Sequence, residues 1–341
     1  MARSPFATTI AGSLPKPAWL AEPEKLWGAW QHEGEALRRA QEDAVLVWLK
    51  LQEDAGIDIV SDGEQFRIHF VHGFLEHVSG IDWQKKTRMG IRDNRYVVEV
   101  PTVTGPITRK RSVHSEDVRF VRANTKRKMK FTLPGPMTIC DTIADAHYGR
   151  RADMAMAFAK VLNAEARELE ALGADVIQFD EPCFNVYVDK VKDWGMAALE
   201  RAAQGVTATK AIHICYGYGT AEVLRWKTSN TDWSHYEATL PLLAKSTIDQ
   251  VSVETAASGV DIAVIEALRG KDVLLGVVDV GTDEVETPHV VAERLHAALR
   301  YVDPEHLYAC TDCGLMPRSR MAAKGKLRAL AAGAAMVNSM R

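Results

Sequence analysis

The chain has 341 residues, with 42 Lys and Arg against 45 Asp and Glu and a formal net charge of -3. That balance supplies no basic field for nucleic acid, and no run of about 18 apolar residues offers a transmembrane helix. An apolar share of 47% is ample for a packed core and excludes a disordered chain. The cysteines, Cys140, Cys183, Cys215, Cys310 and Cys313, are odd in number. This speaks against a secreted disulfide scaffold and for free thiols in the cytoplasm. Residues 1–9 contain no apolar stretch of the signal-peptide kind.

Short β-rich runs alternate with longer helical stretches. The first strand is expected at residues 8–11. A helix is expected over 35–55, with Leu46, Leu49 and Leu51 among its apolar positions and Gly56 as its stop. A strand at 57–60 follows. Residues 83–112 carry alternating β-type residues (Tyr96, Val97, Val98, Val100, Val103), a turn signal at Gly105-Pro106, and eight Lys or Arg. They read as an inserted β-hairpin with a solvated, charged surface. A strand at 130–133 is stopped by Pro134-Gly135-Pro136. The clearest helix spans 152–172, where Met154, Phe158, Val161, Leu162, Leu169 and Leu172 share one side and Gly173 closes the end. Strands at 176–179, 211–214, 250–253, 273–278 and 307–309 then alternate with helices, among them one from Asp261, one at 288–300 and one at 320–336.

Eight short strands, mostly apolar on both faces and separated by helices, read as a parallel sheet covered by helices. Eight is the number that closes a (β/α)8 TIM barrel. The chain is therefore expected to be one barrel domain over residues 1–341 with the hairpin at 83–112. An open doubly wound sheet is the alternative, but its glycine-rich phosphate turn is missing. Gly217-Tyr218-Gly219 lacks the third glycine.

Active sites of such barrels lie at the C-terminal strand ends, and a reactive group stands at nearly every expected end. Ser13 follows the first strand, and Asp62 and Glu64 the second. Asp180 and Glu181, His213 and Cys215, Glu254, Asp279, and then Cys310, Asp312 and Cys313 follow the later ones. Buried carboxylates are costly unless paired or bound to a cation. Residues i and i+2 of a strand point the same way, so His213 and Cys215 share a face. With Glu254 and Cys313 they make an N, S, O, S set that suits Zn²⁺. Two thiolates and a carboxylate leave such a site at -1, which favours exchange of a ligand for an incoming thiolate. Cys310, three residues from Cys313, competes for the same place. Cys140 and Cys183 read as packing residues. His69, His72 and His77 read as surface groups or as supports of other residues. Asp180 and Asp279 are the candidate catalytic carboxylates.

An ordered series of motifs carries a family resemblance. They are T-T-I-A-G-S-L-P at 8–15, D-G-E at 62–64, L-P-G-P-M-T at 133–138, I-Q-F-D-E-P at 177–182, H-I-C-Y at 213–216, V-S-V-E-T at 251–255 and D-C-G-L at 312–315. The chain resembles the C-terminal catalytic barrel of cobalamin-independent methionine synthase, as a short form without that family's N-terminal half-barrel. The resemblance implies a zinc-dependent methyltransferase acting on homocysteine. It puts the metal ligands on His213, Cys215, Glu254 and Cys313, and the groups that hold the amino-acid end of homocysteine on Ser13, Glu64 and Asp180.

Two positions depart from the family. Its folate-stacking Trp has no counterpart in residues 136–142, and its His after the seventh strand is replaced by Gly281. The expected methyl donor is accordingly not the usual polyglutamyl methyltetrahydrofolate. A methylated corrinoid protein, free methylcobalamin or a donor carried by a partner takes its place. Competing readings are a zinc thiol alkyltransferase of the coenzyme M type, a non-catalytic metal-binding protein, and a metal-free decarboxylase-like barrel, which leaves Cys215 and Cys313 unexplained.

Overall fold

The structure is a computed structural model describing residues 5–25, 27–218 and 220–339. Gly219, the third position of the G-x-G run, and residues 1–4 of the N-terminal segment lie outside the described residues. In chain order the strands are β1 (Ile59–Val60), β2 (Ser79–Ile91), β3 (Tyr96–Thr108), β4 (Lys128–Pro134) and β5 (Ala144–Asp145). β6 (Val176–Asp180), β7 (Thr209–Ile214), β8 (Gln250–Glu254), β9 (Asp272–Val278) and β10 (Leu307–Thr311) follow.

Seven of these form one parallel sheet in the order β1-β4-β6-β7-β8-β9-β10. The expected first strand supplies the missing stave. Thr8 bridges Ala309 of β10 and Thr9 bridges Ile59 of β1, both in parallel. Thr9 N donates to Ala309 O at 3.0 Å, and Ile59 N to Thr8 O at 3.0 Å. The ring is thus closed, as the count of eight strands predicted. The strands are buried because both faces are covered: Val176–Asp180 and Gln250–Glu254 are buried throughout.

Ile59, Val176, Ala211, Leu274, Tyr308 and Cys310 pack together. They come from strands all round the ring, so their cluster fills the barrel interior. Cys310 is therefore an interior packing residue, paired in register with Gly276 of β9. Gly276 is there because the neighbouring chain is close. A Cβ would lie 2.3 Å from Asp312 Oδ1 and 2.9 Å from Val253 O. Gly276→Ala is expected to cost about 3 kcal/mol by overpacking, read as a lowered urea midpoint with an unchanged slope. A midpoint equal to wild type would refute the close approach.

The helices follow the sequence pattern with small shifts. Gly34–Ala55 ends on Gly56 at φ 93°, whose N–H returns to Gln52 and Glu53 carbonyls. The long amphipathic helix is Arg151–Ala171, and the last two are Pro288–Ala298 and Arg320–Ser339. The helix expected from Asp261 is instead a short 3-10 helix, Ile262–Leu268, capped by the Asp261 carboxylate.

The hairpin exists but not with the expected limits of 83–112. β2 and β3 pair antiparallel from Ser79–Thr108 to Ile91–Tyr96, and β5 adds to β3 in parallel. The turn is not at Gly105-Pro106. It lies at 92–95, where Arg92, Asp93 and Asn94 take φ of 52°, 56° and 62°. Asp and Asn tolerate this left-handed region better than other non-glycine residues. Gly105-Pro106 lies inside β3, packed against Gly80, where a Cβ would meet Pro106 O at 2.4 Å. The register shifts between Ser79 and Ile81 beside it, so the dipeptide marks an irregularity rather than a reversal.

Candidate active site

The C-terminal rim of the barrel opens into a cavity of about 160 Å³. Ser13, Glu64, Asp180, His213, Cys215 and Cys313 all line it. Strand geometry explains the convergence. In register, Asp180 of β6 stands beside His213 of β7, and Glu254 of β8 beside Gly276 of β9.

His213, Cys215 and Cys313 come closest together. One nitrogen and two sulfurs lie within 4.8 Å of one another. The sulfurs are 3.5 Å apart. His213 Nδ1 bonds Ser252 Oγ at 2.8 Å, while its Nε2 is buried with no hydrogen-bond partner. An imidazole with one nitrogen oriented and the other left free is the arrangement of a metal ligand. The sulfur–sulfur hydrogen bond, helped by the neighbouring imidazole, holds the Cys215 thiol well below its ordinary range, which favours the thiolate.

Glu254 is placed differently from the other three. It lies outside the close donor group. Its Oε2 accepts from Tyr216 N at 2.9 Å, and its Oε1 takes the ammonium of Lys227. Cys310 lies outside the group too.

Asp180 and Glu64 face the same cavity from β6 and from the loop after β1. Asp180 Oδ1 accepts from Gln178 Nε2 at 2.8 Å, and burial pushes its carboxyl up to about 7. Glu64 sits at φ 59°, with its N–H on Asp62 Oδ1 at 3.0 Å and its Oε1 accepting from Thr132 at 3.2 Å. Ser13 packs directly on the loop of Cys313: a Cβ on Gly314 would lie 1.9 Å from Ser13 Oγ. Asp279 does not line the cavity. Its carboxylate accepts from Gly281 N at 2.6 Å.

Three other rim carboxylates are structural. Asp62 pairs with the buried Arg67 through both oxygens, at 2.9 and 2.8 Å. Glu181 accepts from Met137 N, Thr138 N and Thr138 Oγ1. Asp312 accepts from the N–H groups of Thr255, Ala256 and Ala257 and from the Tyr218 hydroxyl. Burial pushes Glu181 and Asp312 up to about 7.

Sequence reasoning missed the outer wall. His69 is not a surface group, though its Nδ1 supports the backbone by accepting from Val71 N at 3.3 Å. It is 5% exposed, lines the cavity and stacks on Trp27 at 4.8 Å between ring centroids. Burial holds it well below the ordinary imidazole range, so it is neutral. His72 lines the cavity as well, while His77 is exposed. Ile91, Arg92, Tyr96, Val98 and Val100 of the hairpin complete the wall. The hairpin tip is tied down at several points. Arg92 N donates to Asp141 Oδ2 at 3.0 Å and its guanidinium to Cys183 Sγ at 2.9 Å. Arg95 donates to Tyr216 O at 3.0 Å and lies 3.4 Å from the centre of the Trp226 ring. Cys140 and Cys183 are buried, and burial raises both thiols above their ordinary range.

Fold and rim together define a (β/α)8-barrel enzyme built around a buried thiol–imidazole cluster. Residues 6–336 match the family described as "Cobalamin-independent synthase, Catalytic domain". The chain belongs to that family, and it is a methyltransferase of the methionine synthase type.

It is 31% identical to a methionine synthase of Sulfolobus acidocaldarius over 97% of this chain and 91% of that protein. With the methionine synthase of Sulfurisphaera tokodaii the identity is 29%, over 97% and 92%. Among solved structures, a B12-independent methionine synthase from Shewanella sp. W3-18-1, in complex with selenomethionine, superposes with a TM-score of 0.96. It is 50% identical over 98% of each chain. A methyltransferase from Methanosarcina mazei, 13% identical over 97% and 94%, shares the fold at a TM-score of 0.59. Among the described residues no helix is long and apolar enough to cross a membrane.

Proposed function

We propose that this enzyme transfers a methyl group to the sulfur of homocysteine, giving methionine, with Zn²⁺ held by His213, Cys215, Cys313 and Glu254. The observation that carries the reading is the unpartnered, buried Nε2 of His213 beside two sulfurs. A free aliphatic thiol of pKa about 8.5 is only a few per cent thiolate at pH 7. Bound Zn²⁺ would supply the Lewis acidity that keeps the substrate sulfur deprotonated and nucleophilic. The chain's own groups do the rest. Asp180 and Glu64 pair with the substrate ammonium, and Ser13 offers a hydroxyl to the carboxylate end. Together they fix the amino-acid end so that the sulfur points to the cluster. Selenomethionine in the Shewanella relative supports a pocket for a methionine-like product. The five free thiols fit a reducing, cytoplasmic setting.

The methyl donor enters past Trp27, His69 and the hairpin. Gly281 replaces the family's folate-side His, and no aromatic residue stands in 136–142. The donor is therefore read as something other than methyltetrahydrofolate alone: a methylated corrinoid protein, free methylcobalamin or a partner-borne donor. Purified zinc-loaded enzyme is expected to form methionine from homocysteine with methylcobalamin and to turn over poorly with methyltetrahydrofolate. Efficient turnover with methyltetrahydrofolate alone would overturn the donor assignment. Absence of methionine with every donor, on protein that holds zinc, would overturn the substrate assignment.

A further inference from the structure

Lys227 contacts Glu254, the fourth proposed metal ligand, yet no expected role uses it. It belongs to the helix Ala221–Ser229, and its side chain is 7% exposed. Its ammonium contacts Glu254 Oε1, and Glu254 itself is fully buried. The same ammonium lies 3.4 Å from the centre of the Tyr218 ring. Tyr218 is fixed in turn by its hydroxyl bond to Asp312 at 2.9 Å. The cation is thus held from two sides, by a carboxylate and by an aromatic face.

Glu254 is also held by Tyr216 N at 2.9 Å, and Tyr216 follows Cys215 directly. The carboxylate is therefore tied to the backbone next to Cys215 through one oxygen and to a positive charge through the other.

We infer that Lys227 is a positioning residue that makes Glu254 an exchangeable donor. It shares the carboxylate with the metal and takes it over when the substrate sulfur arrives. The inference rests on the metal reading above. Charge accounting supports it. Zn²⁺ with two thiolates and a carboxylate carries -1, and a third thiolate would bring it to -2. With Lys227 counted, the same two states carry 0 and -1. The pair of Lys227 and released Glu254 is neutral, so the arriving sulfur does not meet an uncompensated buried carboxylate. A cation on a flexible stem suits this task, because it can follow the carboxylate as it moves.

The test uses Lys227→Met and Lys227→Arg in the full chain. Zinc affinity is measured against a chromogenic chelator. Homocysteine binding is followed by the sulfur-to-metal absorption of the Co²⁺-loaded protein. A unit charge a few ångströms from an ionised group alters its interactions by about tenfold or more. Lys227→Met is therefore expected to bind zinc about tenfold more tightly and homocysteine about tenfold more weakly. Lys227→Arg is expected to lie near wild type in both. Unchanged affinities in Lys227→Met, or a loss of zinc with a normal circular dichroism spectrum, would overturn the inference.

Should Lys227→Met fail to fold, Glu254→Gln gives an independent readout. It is expected to weaken zinc binding without homocysteine and to match wild type once homocysteine is saturating. An equal deficit in both conditions would overturn the exchange. Wild-type protein that takes up no zinc would overturn the metal reading itself. A zinc-binding wild type with an indifferent Lys227→Met overturns this inference alone.

Discussion

Cys313→Ser is expected to lose bound zinc and methionine formation together, and Cys215→Ser to do the same. Both sulfurs belong to the three-donor group within 4.8 Å, so neither can be replaced by a neighbour. A serine hydroxyl stays protonated at neutral pH and does not substitute for a thiolate. Loss of an outer hydrogen bond to a metal ligand already costs about 10–100-fold in affinity or activity. Loss of a ligand itself is expected to exceed about a hundredfold in both. Metal content by atomic emission and turnover on the same sample provide the check. Cys310→Ser is the matched control: its sulfur packs in the barrel interior, so that variant is expected to keep its zinc. Full metal and full turnover in Cys215→Ser would remove the thiol cluster from the mechanism.

Asp180→Asn is expected to separate substrate binding from metal binding. The variant keeps zinc, because Asp180 is not among the close donors. It loses the charge that pairs with the homocysteine ammonium. Truncating one partner of a buried charge pair costs about 2–5 kcal/mol, so KM for homocysteine is expected to rise about a hundredfold. Acid should mimic the substitution. Burial pushes the Asp180 carboxyl up to about 7. Above that pH it is ionised and attracts the ammonium; below it the carboxyl is neutral and the attraction is lost. In wild type kcat/KM is expected to fall as pH drops through about 7, with an acid limb that the Asp180→Asn variant lacks. Zinc loss in Asp180→Asn, or an acid limb identical in both proteins, would rule out this role.

Much of the site was legible because strand periodicity is strict. An alternation of two places His213 and Cys215 on one face wherever β7 is paired, and the barrel carries its strand ends to one rim. The choice between Cys310 and Cys313 was not legible from strand position, since both follow the same short expected strand; only the D-C-G-L motif favoured Cys313. It depends on where β10 stops: Cys310 is still inside the strand, and Cys313 is past its end. Lys227 was invisible for another reason. It reaches Glu254 from a helix 27 residues earlier, and no motif spacing encodes that contact. Trp27 and His69 were missed because they lie on irregular segments, where neither helix nor strand period assigns a direction. The hairpin turn was misplaced because Gly-Pro is a stronger local signal than Arg-Asp-Asn, although Asp93 and Asn94 can adopt the left-handed conformation themselves.

The closure of the barrel by Thr8 and Thr9 has a kinetic consequence. Ala11 N bonds Thr311 Oγ1 across a separation of 300 residues, so this seam joins segments very far apart in the sequence. Pairings of such long range close late and slowly, because the entropy of the intervening loop must be overcome first. Ser13 and Cys313 flank that seam. Ser13, proposed to bind the amino acid, and Cys313 therefore meet only when the ring shuts. A barrel with its seam open would keep His213, Cys215 and Cys313 at the ends of one continuous run of strands, β7 to β10, but would lack the side of the cavity that Ser13 supplies. The complete cavity is thus expected to form only when that seam closes.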